Sequence, residues 1–139
     1  MVPKKILLAE DDVDDQRLFH DFLQHRTDIV LMPVVENGVE VFETLEKIDR
    51  ADELPDLIIL DQNMPKSNGL QTLEALKHNT DYSAIPVAVY STYTDAQLIE
   101  SCIAAGACAV ITKPLTKEGY NQMIEECLQY VSKISYKPK

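Results

Sequence analysis

Apolar residues along this chain fall into two alternating kinds of segment. The first kind is a short unbroken run: Ile6-Leu7-Leu8-Ala9, Ile29-Val30-Leu31-Met32-Pro33-Val34-Val35, Leu57-Ile58-Ile59-Leu60, Ile85-Pro86-Val87-Ala88-Val89-Tyr90 and Cys108-Ala109-Val110-Ile111. Runs of this length, rich in β-branched residues and bounded by turn formers, predict strands buried on both faces. Between them, apolar residues recur at helical spacing. Leu18, Phe19, Phe22 and Leu23 predict a helix over about 13–25. Val41, Phe42, Leu45 and Ile48 predict a second, fading in Arg50-Ala51-Asp52-Glu53. Gly69 opens a third through Leu70, Leu73 and Leu76, and Leu98, Ile99, Cys102 and Ile103 mark a fourth. Tyr120, Met123, Ile124, Cys127, Leu128 and Val131 form the cleanest helical stripe. Asp12 and Asp95 are suited to cap helices, Asp14 and Asp15 to the positive end of a helix dipole, and Gly106 to a left-handed stop.

Five alternations with short connections imply βαβ units, hence an α/β protein with a parallel five-stranded sheet covered by helices on both faces. Right-handed crossovers leave few topologies. Pro33 cannot donate to a ladder, so its strand belongs at an edge. A doubly wound, flavodoxin-like (βα)5 sandwich with strand order 2-1-3-4-5 meets that demand.

Composition narrows the partners. The 139 residues suit a single domain over 1–139, with a core from about 4 to 131 and no room for an output domain. A formal charge of −10 argues against non-specific nucleic-acid binding. No apolar run is long enough to span a bilayer, and Ile6–Ala9 is too short for a signal-peptide core. Cys102, Cys108 and Cys127 form no C-x-x-C pair and read as small buried hydrophobes. A cytoplasmic, reducing location is expected. His20, His25 and His78 fall on helices or their ends, away from any shared site, and read as solvated.

Chemistry gathers after the strands. Glu10 and Asp11 follow the first, Asp61 the third, Ser91 the fourth and Lys113 the fifth. In a parallel sheet these ends lie on one edge, where ligands bind. Carboxylates gathered there repel one another, and a hard divalent cation resolves the repulsion. Mg²⁺ takes oxygen ligands and commonly meets one or two carboxylates plus phosphate. Zinc lacks its usual His/Cys set here. With a metal in place Asp61 can attack phosphorus to form an aspartyl phosphate. Lys113 can neutralise phosphoryl oxygens and Ser91 can donate to another.

In combination and order, Leu7-Leu8-Ala9-Glu10-Asp11-Asp12, Asp61-Gln62-Asn63-Met64-Pro65-Lys66-Ser67-Asn68-Gly69, Pro86-Val87-Ala88-Val89-Tyr90-Ser91 and Thr112-Lys113-Pro114 resemble the receiver domain of bacterial two-component response regulators. The resemblance runs from about Lys4 to Val131. It implies that Asp61 accepts a phosphoryl group from a phosphohistidine on a histidine kinase or phosphotransfer protein. It implies Mg²⁺ on Asp11 and Asp61, on the backbone carbonyl of Asn63, and on Glu10 through water. Ser91 would move toward the phosphoryl group and Lys113 would pair with it, with a cis peptide bond to Pro114. The outcome would be a changed face on the fourth helix, fifth strand and fifth helix, read by a downstream protein: a phosphoacceptor rather than an enzyme.

Departures are also visible. Three acids follow the first strand, so Asp12 competes with Asp11 for a metal, and spacing favours Asp11. Val110 stands where the family usually carries an aromatic. Tyr90 is either a substitute for that ring or a core residue. Asn68 replaces a frequent Asp. Asn63 and Tyr93 occupy positions that in the family tune loss of the phosphoryl group, and a bulky Tyr93 implies an acyl phosphate lasting minutes or longer. The stretch 46–55 is similar to single-domain receivers that partner with bacterial phytochrome kinases. Homodimerisation through the last strand and helix is a further expectation.

Three other readings compete. An aspartyl-nucleophile phosphatase of the haloacid-dehalogenase type needs a second Asp where Asn63 stands. A receiver-like interaction module that is never phosphorylated would not need Asp11, Asp61, Ser91 and Lys113 together. A flavodoxin would find Glu10-Asp11-Asp12 repelling FMN phosphate.

Overall fold

The computed structural model describes residues 2–134, the side chains of 132–134 excepted. Five strands, β1 (Lys4–Ala9), β2 (Ile29–Leu31), β3 (Leu57–Asp61), β4 (Val87–Ser91) and β5 (Ala109–Thr112), form one sheet in the order β2-β1-β3-β4-β5. Every pairing is parallel. Helices α1 (Val13–Leu23), α2 (Gly38–Glu46), α3 (Gly69–Lys77), α4 (Ala96–Ala104) and α5 (Lys117–Ile134) alternate with them. The expected topology is therefore the observed one, with β2 at an edge.

Alternate strand residues face two cores. Leu7, Ala9, Ile58, Leu60, Val87 and Val89 pack with Val41, Leu45, Leu73, Leu76 and Cys102 from α2, α3 and α4. Ile6, Leu8, Leu57, Ile59, Ala88, Tyr90 and Ala109 pack with Phe19 and Leu23 of α1 and with Tyr120, Met123, Ile124, Cys127 and Val131 of α5. Burying both faces explains why β3 and β4 read as unbroken apolar runs.

The caps behave as expected from residue type. Asp12 accepts from the Asp14 and Asp15 N–H groups, and Asp95 from that of Leu98. Asn68 and Gln71 form a reciprocal capping box on α3. Gly106 takes φ 108 after α4.

Some boundaries differ. β2 ends at Leu31 rather than Val35, because Pro33 has no N–H to continue the ladder. Pairing with β1 resumes at Val35, whose N–H donates to Leu8 O at 3.0 Å and whose carbonyl accepts from Glu10 at 2.8 Å. α1 stops at Leu23, two residues early. α2 starts three residues earlier than its first apolar marker, because Asn37 caps it by accepting from Glu40 N–H. It ends at Glu46, and Ala51–Glu53 is a separate 3₁₀ turn.

α2 also abuts the loop that follows β3. A Cβ on Gly38 would run into Thr72 Oγ1 and would lie 2.7 Å from Ser67 Cβ. Gly38→Ala should therefore lower the free energy of unfolding by about 1–3 kcal/mol. Urea unfolding should show an earlier midpoint at unchanged slope. An unchanged midpoint would contradict this packing.

Candidate functional site

Parallel register aligns the strand ends. Ala9 pairs with Leu60, Asp61 with Tyr90 and Ser91 with Thr112. Side chains alternate across a strand, so counting by twos gives each its face. From Ile6 and Leu8 the count reaches Glu10, and from Ile59 it reaches Asp61. From Ala88 it reaches Tyr90, and from Ala109 and Ile111 it reaches Lys113. All four lie on the side covered by α1 and α5. Ser91 follows Val87 and Val89 toward the other core.

Lys113 is the centre of the cluster. Its Nζ lies 2.8 Å from Asp15 Oδ2, 3.0 Å from Glu10 Oε1 and 3.4 Å from Asp61 Oδ1. The ammonium thus hydrogen-bonds Asp15 and pairs electrostatically with Glu10 and Asp61. Glu10 is fully buried, and the Asp61 and Lys113 side chains are only 3% and 11% exposed. The Tyr90 hydroxyl donates to Glu10 Oε1 at 2.6 Å, and Glu10 Oε2 accepts from Asp12 N–H at 3.0 Å. The Tyr90 ring centroid lies 5.0 Å from Lys113 Nζ, within cation–π range. Asn63 N–H donates to Asp61 Oδ1 at 3.2 Å. Among the described residues no buried side-chain nitrogen or oxygen lacks a partner.

Charge is nonetheless unbalanced. Two unit charges about 4 Å apart interact by roughly 4 kcal/mol at an effective dielectric of about 20. One ammonium cannot offset three carboxylates and their mutual repulsion. The imbalance falls on Asp61. Burial, then the hydrogen-bonding and charge of Glu10, push its carboxyl up to about 7, against the pull of Lys113 and Asn63 N–H. Burial pulls the Lys113 ammonium down, but Asp15, Glu10 and Asp61 outweigh it and hold it above its ordinary value. Burial and Glu10 push the Tyr90 phenol well above its usual range, so it stays a donor.

Glu10, Asp11 and Asp61 each offer one carboxylate oxygen within 4.8 Å of the other two. An all-oxygen set with excess negative charge fits a hard divalent cation. Asp12 is not part of this set. Its Oδ1 is engaged by Asp14 N–H at 2.8 Å and Asp15 N–H at 3.2 Å.

The remaining candidates are placed as follows. Ser91 is buried, and its Oγ accepts from Tyr93 N–H at 3.4 Å. The Tyr93 residue itself is 74% exposed. Val110 packs on the α2–α4 side of the sheet. Pro114 requires a correction. No peptide bond among the described residues is cis, so Lys113–Pro114 is trans. X–Pro isomers differ by only about 0.5–1 kcal/mol, and Lys113 reaches all three carboxylates from the trans form. Tyr90 belongs to the core and to the site at once.

Two contacts escaped the reading of strand ends. Asp15 looked like a helix-dipole residue, yet it is the nearest acid to Lys113. Its position one turn into α1, directly after the acidic loop, was the available signal. Tyr90 lies one residue short of the strand end, and its bond to Glu10 follows only from the count by twos.

The sequence model of the response regulator receiver domain matches residues 6–125. The probable C4-dicarboxylate response regulator DctR of Bacillus subtilis (strain 168) is 32% identical over 130 residues, covering 94% of this chain and 54% of DctR. This chain thus spans about half the length of that relative. Response regulator Rcp1 of Synechocystis sp. is 35% identical over 92 residues, 65% of this chain and 63% of Rcp1. The crystal structure of the Mn²⁺-bound form of Rcp1 superposes with a TM-score of 0.77 at 27% identity, covering 99% of this chain and 100% of Rcp1. That of the phosphorylated cyanobacterial phytochrome response regulator RcpA gives 0.79 at 28%, with 99% and 100% covered. Strand order, the acid–lysine cluster and a family match across most of the sequence agree: this chain belongs to the response regulator receiver domain family.

Proposed function

We propose that the protein is a phosphoacceptor switch: Asp61 takes a phosphoryl group from a phosphohistidine on a histidine kinase or phosphotransfer protein. The observation that carries this reading is a buried Asp61 held between Glu10 and the ammonium of Lys113 at the carboxyl end of the central strand. An Asp61 oxygen attacks phosphorus, the phosphorus–nitrogen bond of the donor breaks, and the leaving imidazole takes up a proton. Asn63 N–H, on Asp61 Oδ1, fixes the direction of the carboxylate. Lys113 is within reach to neutralise phosphoryl oxygens, and Ser91 supplies a hydroxyl on the neighbouring strand. A divalent cation, Mg²⁺ by its preference for oxygen, would be held by Asp11, Asp61, the Asn63 carbonyl and, through water, Glu10, and would neutralise charge on the transferring group. The Mn²⁺-bound form of Rcp1 and the phosphorylated form of RcpA support both halves of the reading. Esterification replaces a carboxylate in this cluster with a larger, more charged group. That change is the local event from which the face of α4, β5 and α5 would be reshaped for a downstream protein.

Acetyl phosphate or phosphoramidate with Mg²⁺ should add one phosphoryl group to the wild type and none to Asp61→Asn, read by intact-protein mass. Lys113→Ala should slow labelling about 10²- to 10³-fold. Steady turnover of a phosphate ester by the isolated protein would instead favour a phosphatase.

Stability gives an independent check. The folded carboxyl of Asp61 is raised to about 7, above its unfolded value near 3.9. Its contribution is therefore full below about pH 4 and is lost as pH rises through about 7. Without metal, Asp61→Asn should be more stable than wild type at pH 8 by up to about 4 kcal/mol, and the gap should close toward pH 4. Thermal unfolding across that range would show a constant gap if the cluster is not strained.

A further inference from the structure

The three contacts of Lys113 differ in what happens when the ammonium turns toward a phosphoryl group. Once Asp61 is esterified its negative charge moves onto the phosphoryl oxygens, so the ammonium that turns toward them keeps its partner there. The Asp15 side chain is 26% exposed, so water can replace the lysine there. Glu10 has neither escape. It is fully buried, its Oε2 is committed to Asp12 N–H, and its Oε1 has Lys113 at 3.0 Å. A buried carboxylate oxygen left without a donor is costly, so Glu10 resists losing Lys113 unless another donor stays on Oε1. The second donor on Glu10 Oε1 is the Tyr90 hydroxyl at 2.6 Å. That oxygen meets the phenol through a hydrogen bond and the ammonium through an ion pair, and the phenol's contact is the shorter.

We propose that Tyr90 is a positioning residue: its hydroxyl keeps Glu10 Oε1 satisfied, so that Lys113 is free to leave Glu10 for the phosphoryl oxygens on Asp61. This rests on the phosphoacceptor reading of Asp61. Register supports it, since Tyr90 pairs with Asp61 across β3 and β4, and both point toward Lys113. The ring is fixed beneath the ammonium by an edge contact with Phe19, centroids 6.5 Å apart at 86°. The phenol therefore stays on Glu10 whether or not Lys113 does.

Tyr90→Phe keeps the ring, its Phe19 contact and the cation–π contact, and removes only the donor. The test compares Mg²⁺ alone with beryllium fluoride plus Mg²⁺, a phosphoryl mimic, on the full chain by titration calorimetry. Tyr90→Phe should weaken beryllofluoride binding about 10-fold, the size of one lost charge-assisted hydrogen bond, while Mg²⁺ affinity stays within about twofold. Labelling by phosphoramidate should fall in maximal rate rather than in the donor concentration needed for half-saturation. Equal weakening of Mg²⁺ and beryllofluoride would mean a merely structural role and overturn the assignment. Unchanged beryllofluoride affinity would overturn it as well. If the wild type binds no beryllofluoride in Mg²⁺, the phosphoacceptor reading falls and takes this inference with it.

A measurement on the wild type does not depend on how the variant folds. In the beryllofluoride complex the side-chain ¹⁵N signal of Lys113 should shift, while the Tyr90 hydroxyl proton stays protected from exchange. Free exchange of that proton in the complex would overturn the proposal.

Discussion

A single ammonium group, that of Lys113, holds the edge of this sheet together. Among the described residues it is the cation within 4 Å of Glu10, Asp15 and Asp61, and two of those carboxylates are buried. Remove it and each acid faces the others in a medium that screens poorly. Keep it and the cluster is tolerable but not neutral, and burial first, then Glu10, hold the Asp61 carboxyl above the usual range for an aspartate. The site is thus built with a deficit of positive charge. Such a deficit favours a divalent cation.

The fold produces this concentration of charge by simple means. Parallel pairing sets five strand ends on one edge, and alternation along each strand sends Glu10, Asp61, Tyr90 and Lys113 to one side of it. α1 then closes over that side, bringing Asp15 to the lysine. None of these residues needs an unusual backbone. The strained position lies next door: Lys66 takes φ 68 in a turn that Ser67 N–H closes onto Pro65 O at 2.7 Å. That turn sits in the β3–α3 connection, in which Asn63 N–H donates to Asp61 Oδ1.

Most of the architecture was legible because the hydrophobic pattern and the punctuation agree. Unbroken apolar runs marked the strands, and Pro33 placed β2 at the edge. Asp12, Asp95 and Gly106 marked helix ends. Boundaries slipped where a local polar residue outweighed periodicity, as when Asn37 drew the start of α2 back to Gly38. Within the site, the residues following strands were easy to single out, since sheet topology alone places them together. Asp15 and Tyr90 were harder. The role of one depends on how a helix crosses the sheet, and that of the other on which face its side chain leaves from. Both are tertiary facts with only weak local signals. The trans bond at Pro114 had no local signal at all, since both isomers suit the same dipeptide.

If Lys113 and a divalent cation answer the same deficit of charge, they compete electrostatically. The most direct measurement is the Mg²⁺ affinity of Lys113→Ala against wild type, by calorimetry at pH 8 and low ionic strength. Loss of the internal cation should tighten Mg²⁺ binding, about 10-fold for roughly 1.4 kcal/mol of relieved repulsion. Affinity that is unchanged or weaker would mean that the lysine does not govern the electrostatics of the site, and would contradict the account.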